Sequence, residues 1–91
     1  MAERRLSDDA LNEVSGGAAG QMTVIGYARV ITTNLNIRSA ASKNSSFLGQ
    51  TNAPDQHNVY QIVQNEGYVW YMIDVNKWIA NDGTWVKFIS K

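Results

Sequence analysis

Hydrolysis by a side-chain nucleophile needs a hydroxyl or thiol, a base beside it and an acid that orients the base. The chain has no cysteine and a single imidazole, His57, so any such trio must pass through that one residue. His57 stands in the run Pro54-Asp55-Gln56-His57-Asn58, and no serine lies in a nucleophile-elbow motif. The reading is a solvated loop histidine, and no catalytic residue is expected. Without thiols, and with one histidine, neither a zinc–thiolate nor a histidine metal centre can be assembled, so no metal and no cofactor is expected. Asp74 and Asp82 flank a hairpin-like segment, where exposed turn acids are the default. The clustered glycines do not lie between a strand and a helix, which removes a phosphate-binding loop.

Binding chemistry is better supplied. Four Tyr, three Trp and two Phe all lie from Tyr27 onward. In the run Val69 to Val75, strand alternation puts Trp70 and Met72 on one face and Tyr71, Ile73 and Val75 on the other. The apolar Tyr71/Ile73/Val75 row is the expected core. Trp70 then faces partly outward, where a rigid ring offers contact area at small entropy cost. Arg38 is the cation for a peptide carboxylate. The ligand-binding residues expected are Asn36, Arg38, Tyr68, Trp70 and Trp78.

The elements that must position them fall in the last two thirds of the chain. Ninety-one residues allow one small domain, and eight basic residues balance eight acidic ones. That balance offers nothing to attract nucleic acid. No apolar stretch approaches the roughly 20 residues of a membrane-spanning helix. The first seventeen residues carry a net charge of −2 and no aromatic ring, and the remaining seventy-four a net charge of +2. Gly16-Gly17-Ala18-Ala19-Gly20 separates them. The division expected is 1–17, then a flexible linker over 18–26, then a folded domain over 27–91.

Within 1–17, Leu6, Ala10, Leu11 and Val14 would line one face of a short helix. Ser7 is its expected N-cap, and Gly16 and Gly17 its stop. About ten residues do not hold a helix in water alone, so this segment reads as a docking element. From Tyr27 the pattern is β: Tyr27 to Thr32, Leu35 to Arg38, a short start at Phe47-Leu48, Val59 to Gln64, Val69 to Val75 and Trp85 to Ile89. Asn65-Glu66-Gly67 and Asp82-Gly83 are the strongest turns. Five to seven short strands at this spacing predict an all-β fold, a small barrel or two packed sheets.

Two resemblances extend this reading. Leu6-Ser7-Asp8-Asp9-Ala10-Leu11 through Val14-Ser15-Gly16-Gly17 resembles the double-glycine leader of exported bacterial peptides. That resemblance implies docking of Leu6, Leu11 and Val14 in a peptidase-containing ABC exporter, and cleavage after Gly16-Gly17. Ala10 departs from the pattern, where many members have Glu. From Tyr27 to Lys91, Leu35-Asn36-Ile37-Arg38-Ser39, Trp70-Tyr71 and Gly83-Thr84-Trp85-Val86 resemble a bacterial SH3 (SH3b) domain. This implies a small SH3-like barrel behind a flexible leader. Ala40-Ala41 stands where Gly-Pro is frequent, and Trp78-Ile79 has no place in the pattern.

The function these resemblances imply is that of a non-enzymatic module, secreted or held at the cell surface as a monomer, binding cell-wall (peptidoglycan) peptide. The alternative is a bacteriocin or secreted signalling factor with the same leader. A small peptidoglycan hydrolase would lack its Cys/His or metal-ligand set.

Overall fold

The computed structural model describes residues 22–91. The leader helix, its docking residues Leu6, Leu11 and Val14, and the Gly16-Gly17 cleavage site lie outside the described residues. Eight strands form among the described residues: β1 (Gly26–Val30), β2 (Leu35–Arg38), β3 (Phe47–Thr51), β4 (Gln56–Val59), β5 (Gln61–Asn65), β6 (Tyr68–Asp74), β7 (Lys77–Asn81) and β8 (Val86–Ser90). They make two antiparallel sheets, one ordered β4-β1-β8 and one ordered β3-β2-β7-β6-β5.

Alternation explains why the sheets face each other. In β1, Gly26, Ala28 and Val30 are buried while Tyr27 and Arg29 point away. Ala28, Val30, Val59 and Val86 of the smaller sheet meet Leu35, Tyr71 and Ile79 of the larger one, with Phe88, Ile37, Val69 and Ile73 packed around them. The Tyr71 and Phe88 rings stack at 5.4 Å between centroids and 4° between planes, tying β6 to β8 across the interior. Gly26 permits a close approach within the smaller sheet: a Cβ there would fall onto the Phe88 ring of β8 and within 2.6 Å of the Ile89 carbonyl.

The expected SH3-like barrel is not what forms. Both sheets are open, with β3 and β5 as the edges of one and β4 and β8 as the edges of the other. Closure would need every strand to be hydrogen-bonded on both sides. Here the chain instead leaves the smaller sheet at the end of β4 and enters the larger one in β5, with Tyr60 between them donating its N–H to the Met72 carbonyl at 2.9 Å. The run Val59 to Gln64, which reads as one strand, is therefore two strands in two sheets. Val75 is also corrected: it leaves the core row and lies in the β6–β7 turn, 36% exposed.

Candidate functional site

The site lies on the outer face of the larger sheet. Because Leu35 and Ile37 point into the core, Asn36 and Arg38 of β2 point outward. By the same alternation Trp70 and Ala80 stand side by side on that outer face, paired between β6 and β7. Ala80 is small, so the surface is lower between β2 and β6. The resulting groove has a volume of about 310 Å³ and is lined by Thr32, Asn34, Asn36 and Arg38 on one side and Tyr68, Trp70 and Trp85 on the other, with Ala80 between and Lys43 above.

Its aromatic wall is built from two turns. In the β5–β6 hairpin, Glu66 and Gly67 both take positive φ (58° and 82°), the geometry of a two-residue type I′ turn, and this delivers Tyr68 at the start of β6. In the β7–β8 connection, buried Asn81 accepts N–H bonds on its Oδ1 from Gly83 (3.0 Å), Trp85 (3.2 Å) and Val86 (3.1 Å), while its Nδ2 donates to the Val86 carbonyl (3.0 Å). Asp82 closes the same turn by accepting from the Thr84 N–H and hydroxyl, which hold its carboxyl below the usual carboxylate range. The turn fixes Trp85 so that its ring stacks on Tyr68, 5.6 Å between centroids and 19° between planes.

A strap borders the groove at Lys43. Residues 39–46, between β2 and β3, cross the outer face and fasten to the β5–β6 turn. Glu66 accepts from the Ser42 hydroxyl (3.1 Å) and from the Lys43 N–H (2.6 Å), and Asn65 Nδ2 donates to the Ala41 carbonyl (2.8 Å). At its near end Arg38 donates to the Ser45 carbonyl at 3.1 Å. The strap thereby sets the Lys43 ammonium 5.5 Å from the centroid of the Tyr68 ring, a cation–π contact.

Four of the five ligand-binding residues read from the sequence share this groove: Asn36, Arg38, Tyr68 and Trp70. Trp78 does not line it; it pairs with Arg38 and Met72 further along the same sheet. Trp70 is on the expected face but is only 1% exposed, its indole N–H donating to the Asn65 carbonyl at 3.0 Å. It is the buried back wall of the groove and not a protruding anchor. Lys43, Trp85 and the Thr32–Asn34 segment were not legible as site residues, since strap and turns bring them in from distant positions.

A second polar cluster corrects the reading of His57 as a solvated loop residue. His57 is half-buried in β4 opposite Ala28, and its Nε2 lies 2.8 Å from the hydroxyl of Thr51, itself 2% exposed. The same hydroxyl lies 2.8 Å from Asp55 Oδ2. The Thr51 bond and an N–H bond from Asn52 hold the Asp55 carboxyl below its ordinary range, so it is an ionised acceptor. The one hydroxyl proton thus goes to Asp55, and His57 Nε2 must donate. This is the reverse of a base-activated nucleophile, in which the imidazole accepts from the hydroxyl. The cluster ties the end of β3 to β4. Among the described residues no group of three or more metal-ligating side chains gathers, and no helix is long and apolar enough to cross a membrane.

No family model, no curated protein and no solved structure matches the chain. With open sheets and no family match, the SH3b resemblance and the double-glycine leader resemblance are both withdrawn, and with them the link to an ABC exporter. The Leu35-Asn36-Ile37-Arg38 pattern has a simpler origin. Two apolar residues that face a core alternate with two polar ones that face a groove, as in any half-buried strand.

Proposed function

We propose that this protein is a non-enzymatic binding module whose groove takes a short peptide, with bacterial cell-wall stem peptide as the ligand class and the cell surface as its place of action. The observation that carries this reading is the groove itself, a 310 Å³ channel with an aromatic wall and a small-residue floor. Its volume lies at the lower end of the range of about 300–1,000 Å³ typical of ligand sites. Stacked Tyr68 and Trp85 offer flat apolar area, while Thr32, Asn34 and Asn36 bring hydrogen-bonding groups to the opposite side, the combination an extended peptide of small residues requires. Among the described residues the Thr51–His57–Asp55 bonds run in the wrong direction for a nucleophile, which supports binding over turnover.

The test is retention on purified cell walls with and without their peptide stems. The protein should be retained by intact walls and not by stripped ones. Tyr68→Leu, which keeps apolar bulk but removes the stacking surface, should weaken retention by about 1–3 kcal/mol, as for an interface anchor. Trp78→Ala, outside the groove lining, should be retained like the parent. Unchanged retention of a folded Tyr68→Leu protein would remove the groove from the binding site. Equal retention on stripped walls would remove peptide as the ligand.

A further inference from the structure

Among the described residues the groove lining carries Arg38 and Lys43 and no acidic side chain, in a chain whose formal net charge is zero. The local excess is built in by the strap. Glu66, the carboxylate nearest Lys43 in the hydrogen-bond pattern, contacts the backbone N–H of Lys43 and the hydroxyl of Ser42. It therefore holds the strap in place by main-chain bonding, while the Lys43 ammonium lies on the groove side, over Tyr68. Arg38 has a neutral partner: among the described residues its guanidinium hydrogen-bonds to the Ser45 carbonyl, two residues along the strap from Lys43. The Lys43 ammonium meets an aromatic ring and the Arg38 guanidinium a carbonyl, so among the described residues neither charged group is hydrogen-bonded to a carboxylate, and both border one groove before any ligand arrives.

We infer that the groove is a seat for the free carboxylate at the end of a short peptide, held by Lys43 and by the Arg38 donors that Ser45 does not use. This inference rests on the peptide-binding reading above and names the group that the site selects. A planar carboxylate suits a guanidinium, which can offer it two parallel N–H bonds. The Ala80 floor and the 310 Å³ volume confine the ligand to a few small residues, so the chain end, and not a long acidic side chain, reaches the cations. The Tyr68/Trp85 wall then covers the apolar side of the residues that precede it.

The experiment is an NMR titration of the full chain with N-acetyl-trialanine as the free acid and, separately, as the C-terminal amide. The free acid should bind about tenfold more tightly than the amide at low salt. That advantage should shrink as ionic strength rises from about 0.01 M to about 0.15 M and the Debye length falls from ~30 Å to ~8 Å. Lys43→Gln should reduce the acid-to-amide ratio severalfold. The variant keeps the backbone N–H that Glu66 holds, so the strap stays fastened; an Arg38 variant would release Ser45 and is not used. Equal binding of acid and amide would overturn the carboxylate seat while leaving the peptide reading intact. A Lys43→Gln protein with an unchanged ratio would overturn the role of Lys43. If neither peptide binds, both readings fall.

Discussion

Replacing Trp70 by alanine separates a structural wall from an exposed anchor. Trp70 is among the largest fully buried side chains, yet it stands outside the main core cluster, on the other face of its sheet. Its cover comes from the edge contact with Tyr68, at 6.3 Å and 76°, and from the crowded outer surface beside the strap. Truncating a buried tryptophan costs about 3–5 kcal/mol. A folded part of about 70 residues has a total stability of roughly 4–10 kcal/mol. At ~4–8 °C per kcal/mol for a domain of this size, Trp70→Ala should lower Tm by at least about 12 °C, and it brings the weaker end of the stability range to unfolding. Trp70→Phe keeps a ring but loses the N–H bond to Asn65, and should cost about 1–3 kcal/mol. Thermal melts followed by circular dichroism, with urea titrations to check that the m-value is unchanged, measure both. A Trp70→Ala protein that melts within about 3 °C of the parent would refute the burial argument and return Trp70 to the surface.

Two further outcomes follow from other parts of the fold. Gly26→Ala should destabilise by about 1–3 kcal/mol, because the added methyl falls on Phe88 and the Ile89 carbonyl of the neighbouring strand in the same sheet; an unchanged melt would show that the Phe88 ring moves aside there freely. For His57, burial is the larger influence and lowers its pKa below the ordinary 6.5, with Asp55 opposing. The unfolded chain therefore binds the proton first, so stability is level above about pH 6.5 and is lost as pH falls through the folded value; a His57→Gln protein should lack that slope in melts between about pH 7 and pH 5.

How far the fold was legible depended on whether a signal was local. Alternation was legible in β2 and β6, and the Asn65-Glu66-Gly67 and Asp82-Gly83 turns were visible because positive φ has a residue signature. The crossing at Tyr60 had none. No Gly or Pro marks it, and the residues on both sides continue a strand-like run; only a change of hydrogen-bonding partner separates β4 from β5. β7 escaped for a related reason. Its five residues include Lys77 and Asn81, and its apolar side is defined only when Ile79 meets Tyr71 on one side and Ile37 on the other. The misreading of His57 came from the same source: a Pro/Asp/Gln/Asn neighbourhood looks solvated until β1 pairs with it.

The groove shows the same limit at a larger scale, and explains why its cations could be only half read. Arg38 belongs to a strand, so alternation alone turns it outward. Lys43 belongs to a loop with no periodicity, and its position depends on Glu66, 23 residues further along the chain. A positive φ at Glu66 is what aims that carboxylate, since the type I′ turn points its side chain toward the strap while the following strand begins with Tyr68. One turn therefore supplies both the aromatic wall and the anchor that holds a cation above it. The coupling has a mechanical consequence: any change that flattens this turn moves Tyr68 and Lys43 together, so the aromatic and charged halves of the groove are lost as a unit.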